Sequence, residues 1–330
     1  MKTLRVCNDR QEWDDYILDN GGHPLQLWGW GELKSANGWS ADRLFLVDQD
    51  NNIFGAVQVL YKKIIFPFRS LAYVPRGPVA SEPNREELLS LLAIYIKKSR
   101  HSVSLMIEPD TDDFTLPKGW LKSSEHILPA NTIILDLNKT ETDLLADMAK
   151  KTRQYIRKSS SSGLVIKTVS NIKDLNDCLF IYKETAKRSK FSLHKEKYYY
   201  DVFHKFKDNS RIFAVYDQDK PIAFLWLALS TNTAYELYGG MNNIGHDLRA
   251  NYALKWHAIK KCKEWGLDRY DFGGLIEGGV STFKKGWSSA EAELVGTYVL
   301  PTSASYGLWA KALPLGRSGL RKIKSLLSQR

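Results

Sequence analysis

Nothing in these 330 residues approaches the run of about 18 apolar side chains that a bilayer-spanning helix needs. The N-terminal stretch MKTLRVCNDRQEWDDY has no apolar block of the kind a secretory signal uses, so a cytosolic protein is expected. Cysteine is scarce. Cys7, Cys178 and Cys262 are odd in number and form no CxxC pair, which argues against a disulfide framework or a zinc knuckle. The seven histidines show no HExxH spacing, and no metal is expected. GxSxG, GxGxxG and Walker loops are also missing. Ser192-Leu193-His194-Lys195 matches SxxK, but the SDN and KTG partners of penicillin-binding chemistry are absent.

What is present is ordinary globular material: 43% hydrophobic and 25% charged residues, over a length that suits two domains. Lys and Arg outnumber Asp and Glu by 47 to 37, a net +10. That excess is compatible with a polyanionic partner such as tRNA, a nucleotide diphosphate or an anionic membrane face, without choosing among them.

The two halves repeat one design. RLFLVDQD from Arg43 and RIFAVYDQD from Arg211 each alternate apolar and polar residues into an Asp-rich turn. A second apolar run follows each turn, IFGAVQVL or PIAFLWLAL, and both pairs read as β-hairpins. A strand then runs to glycine (LAYVPRGPV at 71–79, AYELYGGM at 234–241), followed by a helix (from Glu86, and from Asn251 to a C-capping Gly266) and another strand (SVSLMIE, RYDFGG). Hairpin, strand, helix and strand, twice over, predict an α/β protein of two similar domains with mixed sheets.

That order resembles the GNAT acyltransferase fold. Binding an acyl-CoA pyrophosphate there requires a Q/RxxGxG/A loop at a helix N-terminus. Residues 243–249 and 81–84 both lack its glycine pair, so no CoA cofactor is expected. Between the halves, Leu144, Leu145, Met148, Tyr155 and Ile156 share one face of a helix whose other faces carry Lys150, Lys151, Arg153, Arg157 and Lys158. The boundary is expected just ahead of it. Domain one covers 1–142, with 301–330 available to complete it, and domain two covers 143–300. A terminal amphipathic helix with Leu320, Ile323, Leu326 and Leu327 on one face is expected to pack on its own domain or touch anionic lipid.

Several segments in fixed order carry a resemblance over nearly the whole chain: LQLWGWGELK at 25–34, YVPRGPV at 73–79, Ile107-Glu108-Pro109, RQYIRKSSSSG at 153–163 and ETAKRSKFSLHKEKYY at 184–199. LYGGMN at 237–242, RANYALKW at 249–256, YDFGG at 270–274 and STFKKGW at 281–287 continue it. The sequence is similar to the FemABX family of peptidoglycan peptide-bridge aminoacyltransferases, in its shorter form without a long heptad arm. The resemblance implies tandem GNAT-like domains, an aminoacyl-tRNA donor and a UDP-linked or lipid-linked muramyl-peptide acceptor, with a possible contact at the inner membrane face. Two positions depart from the short members: His194 stands where they carry Arg four residues before Tyr198, and Val103 stands where they carry Tyr.

Aminolysis of an aminoacyl ester is downhill and can be driven by positioning and preorganised charge, without a nucleophilic triad. The resemblance gives Lys284 the developing oxyanion or leaving ribose oxygen, and puts Phe283 near the terminal adenosine. It makes Lys34 a diphosphate contact, with Lys195 supplying charge beside His194. Arg76 is a candidate for the same cleft, Tyr198 and Tyr252 for sugar or peptide hydrogen bonds, and Glu108 for the proton acceptor. Two alternatives stay open: a CoA-dependent or other N-acyltransferase of this fold acting on a cell-envelope sugar or polyamine, and a non-catalytic RNA- or membrane-binding protein.

Overall fold

The computed structural model describes residues 1–311 apart from 65, 67, 276 and 277; the terminal helix expected around Leu320 lies outside the described residues. The first half supplies β1 (Thr3–Val6), β2 (Ser40–Val47), β3 (Ile53–Lys63), β4 (Ser70–Pro75), β5 (Val79–Ala80), β6 (Ser102–Glu108) and β7 (Leu121–Lys122). Helices α1 (Arg10–Asp19), α2 (Trp28–Ser35) and α3 (Glu82–Tyr95) connect them. The chain then passes through β8 (Asn131–Thr132), β9 (Ile134–Asp136), α4 (Glu141–Asp147) and α5 (Lys150–Ser160). The second half holds β10 (Val165–Thr168), α6 (Ile172–Ser189), α7 (Glu196–Phe206), β11 (Ser210–Asp217), β12 (Lys220–Leu229) and β13 (Thr233–Met241). It continues through α8 (Asn243–Asp247), α9 (Ala250–Glu264), β14 (Arg269–Asp271), α10 (Gly279–Lys285), β15 (Ala292–Glu293) and β16 (Tyr298–Pro301).

The duplication is plain in the strand orders, β1-β2-β3-β4-β6-β16-β7 and β10-β11-β12-β13-β14-β9. Each sheet has four antiparallel strands in chain order, then one parallel pair (β4 with β6, β13 with β14), then an antiparallel strand from elsewhere. These last strands shift the expected boundaries. Ile134–Asp136 lies before residue 142 yet pairs with β14 of the second sheet, and Tyr298–Pro301 lies largely before residue 301 yet pairs with β6 of the first.

Two local readings also change. LAYVPRGPV is not one strand, because β4 ends at Pro75 and Val79–Ala80 turns back to pair with β3. The linker helix is two helices, broken at Met148–Ala149, where Ala149 is extended at φ −56 and ψ 142 and its N–H donates to the Gly286 carbonyl. Arg153 stabilises the break by donating to the Leu145 and Ala146 carbonyls at 3.2 Å and to that of Met148, so it does not join the cationic face. The apolar run of β12 is buried at nine of its ten residues, because α6 and α9 cover its two faces.

One apolar cluster joins the domains, with Leu25, Trp30 and Leu33 of the first packed against Tyr198, Val202 and Phe206 of the second. Here α2 crosses α7 so closely that a Cβ on Gly29 would lie 2.6 Å from the Lys205 carbonyl oxygen. Glycine is required by the contact, and the contact holds Lys34 against α7.

Candidate functional site

Two groups of expected site residues come together, at opposite faces of one strand. On the α7 side, Lys34, His194, Lys195 and Tyr198 line a cavity with Asn37 and Trp39. The Lys34 ammonium bonds the Tyr198 hydroxyl at 3.0 Å and lies over the Trp30 ring at 4.3 Å. Burial pushes its pKa down to about 8. His194 stacks on Tyr198 with centroids 4.0 Å apart, and burial plus the Lys34 charge lower its pKa, so the ring is neutral at pH 7. The cavity is thus furnished with Lys34 and Lys195 as cations and an aromatic wall. Val103 is buried in β6 and takes no part.

On the other face, Lys284 donates to the Gly274 carbonyl at 2.7 Å, and burial lowers its pKa against the opposing charges of Glu236 and Asp271. FKKG is helical, not extended: Lys284 points inward while Lys285 pairs with Glu291 at 2.5 Å on the surface. Phe283 meets Tyr252 with centroids 5.0 Å apart, and Tyr252 meets Tyr155 of α5 at the same separation. Arg249 and Lys151 lie over the Tyr155 ring at 4.2 and 5.6 Å. Tyr252 therefore belongs with Phe283 and Lys284, not with the Lys34 cavity.

The second group occupies a splay in the sheet. β13 pairs with β14 only from Thr233–Tyr235 to Arg269–Asp271, although β13 continues to Met241. A bulge between the Trp226–Tyr238 and Leu227–Glu236 pairs re-aims neighbouring side chains. Tyr238 turns to Tyr198 and the first cavity, while Glu236 turns to α9. Glu236 there accepts from Lys255 at 2.5 Å and from the Tyr270 hydroxyl at 2.7 Å. Gly273, at φ +75, closes the other wall; a Cβ there would sit 2.4 Å from the Glu236 carbonyl oxygen. Neither Glu236 nor Lys255 was among the candidates read from the sequence.

Two expected site residues are engaged elsewhere. Glu108 is 1% exposed and accepts from Thr297 at 2.6 Å, from the Ile127 N–H at 2.7 Å, from the Leu128 N–H and from the Tyr73 hydroxyl. A carboxylate so saturated anchors chain segments and is not a proton acceptor for substrate. Arg76, 3% exposed, donates to the Pro129 carbonyl at 3.1 Å and sits among Tyr235, Asp110 and Asp271, between the domains and away from Lys34. Among the described residues, His23, Asp110 and Asp271 bring possible ligand atoms within 4.8 Å. The His23 Nδ1 accepts the Leu25 N–H, leaving the ring proton on Nε2, and Arg269 pairs with Asp110 at 2.8 Å. Arg269 therefore already balances the Asp110 charge, and the Nε2 proton of the neutral His23 would have to leave before that ring could bind an ion.

A family model described as an acetyltransferase (GNAT) domain matches residues 146–285. The lipid II:glycine glycyltransferase of Staphylococcus aureus is 24% identical over 90% of this chain and 92% of its own length. The FemABX resemblance holds. That alignment spans 392 positions, more than the chain's own length, so the relative carries residues with no counterpart here, as expected for a shorter form. A crystal structure of FemX superposes with TM-score 0.79 at 21% identity, over 91% of this chain and 96% of that one. A tandem GNAT protein from the clavulanic acid biosynthesis pathway superposes with TM-score 0.53 at 10% identity, over 92% and 100%. The fold is a tandem GNAT architecture, and the protein is an enzyme of the acyltransferase class. No helix among the described residues is long and apolar enough to cross a membrane.

Proposed function

We propose that the protein is an aminoacyltransferase that moves an amino acid from tRNA to the stem-peptide amine of a peptidoglycan precursor. The observation that carries this reading is the half-buried Lys284 ammonium in the β13–β14 splay, with an aromatic and cationic surface leading to it and the Lys34 cavity behind the same strand. The acceptor amine attacks the ester carbonyl and an N–C bond forms. Lys284 meets the oxyanion, the ester C–O bond breaks, and the amine's proton ends on the released ribose oxygen. No cofactor enters this chemistry. The acceptor is supported by the names of the relatives, and the donor by the cations of α5.

A CoA donor is the weaker reading. The amide of Gly245, where a pyrophosphate would be cradled, donates instead to the Asn242 side chain at 2.9 Å, and α8 has only five residues. The deciding experiment incubates the protein with charged total tRNA and UDP-linked or lipid-linked muramyl peptide, then weighs the product. Transfer from acetyl-CoA with none from tRNA would overturn the reading.

Two further results are expected. Lys150, Lys151, Arg157 and Lys158 are exposed on α5. Reversing Lys150 and Lys151 to Glu should weaken tRNA binding and flatten its log–log salt slope by roughly 1.5, the loss of about two phosphate contacts. An unchanged slope removes α5 from the donor site.

At the acceptor, Lys34 is a cation below its pKa of about 8 and neutral above it, so kcat/KM for the acceptor should fall as pH rises through that value. Lys34→Ala should raise the acceptor KM without altering tRNA affinity, and His194→Arg should lower the KM of a UDP-linked acceptor. If both variants match the parent, the diphosphate binds elsewhere.

A further inference from the structure

One end of the first sheet is unlike the rest of the surface. The Ile64 N–H donates to the Arg69 carbonyl at 2.9 Å, closing the β3–β4 hairpin, and beyond that bond Phe66 is 89% exposed. Phe68 packs edge-on against Trp309 with centroids 5.2 Å apart, and neighbouring Leu308 is 66% exposed. Three segments converge here. Ser70 pairs in register with Ser102 at the start of β6, and the Thr302 hydroxyl, just after β16, donates to the Ser102 carbonyl at 2.6 Å. Segments 62–70, 96–102 and 302–311 contain no Asp or Glu. They expose Lys63, Arg69, Lys97, Lys98 and Lys311, none in an ion pair among the described residues.

We propose that this end of the sheet docks on an anionic lipid bilayer, with Phe66 and Leu308 entering the headgroup–acyl boundary and the five cations facing lipid phosphates. Exposed apolar tips ringed by cations match that boundary in both polarity and charge. RNA would also satisfy the cations, but Leu308 has no ring to stack on a base. The surface also adjoins the acceptor cavity. Lys62, at the end of β3, donates to the Gly38 carbonyl at 2.9 Å and lies over Trp39, which lines the cavity with Lys34. A docked tip therefore brings the cavity to the bilayer surface and selects the lipid-linked acceptor over the UDP-linked one; this consequence rests on the proposed function, whereas the docking does not.

The test sediments the full chain with vesicles of phosphatidylcholine alone, or with part of it replaced by phosphatidylglycerol, in the absence of donor and acceptor. Binding is expected only to the anionic vesicles. Phe66→Ser and Lys97→Glu/Lys98→Glu should each lower the partition coefficient by about fivefold or more, with unchanged circular dichroism. The variants decide the matter, because the basic residues at 317–324 could bind the same vesicles unaided. Unchanged vesicle binding in both variants overturns the proposal. So does loss of tRNA binding in place of vesicle binding, or a vesicle-free dimer that Phe66→Ser dissociates. Since no substrate is present, a failed transfer assay leaves this result standing, and the reverse.

Discussion

Lys284→Met should fold normally, bind both substrates and turn over roughly a hundredfold more slowly, with KM nearly unchanged. The ammonium is assigned to charge that exists only at the tetrahedral stage, so its loss raises the barrier without loosening the ground-state complex. Methionine keeps most of the half-buried stem and removes the charge. Its lost partner in the resting protein is a backbone carbonyl, Gly274, which keeps a second lone pair for water. Lys285→Met is the control, because that side chain is on the surface beside Glu291 and its loss should cost less than about twofold. The pH dependence has a fixed sign. Lys284 works as a cation and burial lowers its pKa, so the rate should decline as pH rises, starting below the ordinary lysine range. Equal, small effects of the two substitutions would move catalysis away from this helix.

The repeated hairpin, strand and helix were legible because each is local. β11 and β12 are antiparallel neighbours joined by a tight Asp-rich turn, and Gly266 ends α9 at φ +78. Pairings between distant segments were not. Glu108 before Pro109 reads as an ordinary solvated strand end, and only Thr297, almost 200 residues later, and the amides of Ile127 and Leu128 reveal it as a buried anchor. Lys284 was reached by resemblance, since a lysine after a glycine-rich stretch carries no signal of burial. Lys255 does leave a trace in the sequence. It lies at helical spacing with Tyr252, Ile259 and Cys262, and a charge on a buried stripe demands a buried partner. Glu236 is that partner, but the bulge that turns it away from Tyr238 cannot be seen in YELYGG, where strict alternation puts both on one face.

That partnership predicts a large effect on stability. In the Glu236–Lys255 pair the side chains are only 9% and 7% exposed, and the same carboxylate accepts from Tyr270. Removing one member of a buried pair strands the other, so Glu236→Leu should lower the unfolding free energy by about 3–5 kcal/mol. Urea denaturation should register this as a lower midpoint at unchanged slope. The loss should also depend on pH, with a definite sign. Burial already lowers the pKa of Lys255 and Glu236 opposes that shift; without Glu236 the folded state would hold Lys255 neutral while the unfolded chain keeps it protonated. The unfolded state then binds more protons, so the variant gains stability relative to the parent as pH rises up to about 8, above which burial holds Lys255 neutral in the folded parent as well. Replacing both members, as Glu236→Leu/Lys255→Met, removes the stranded charge and should recover most of the deficit. The remainder of about 1 kcal/mol would come from the Tyr270 hydroxyl left without its acceptor. A single variant within about 1 kcal/mol of the parent, or a double variant no better than the single, would mean that water or a neighbouring group already solvates Lys255 and that the pair does not hold the splay together.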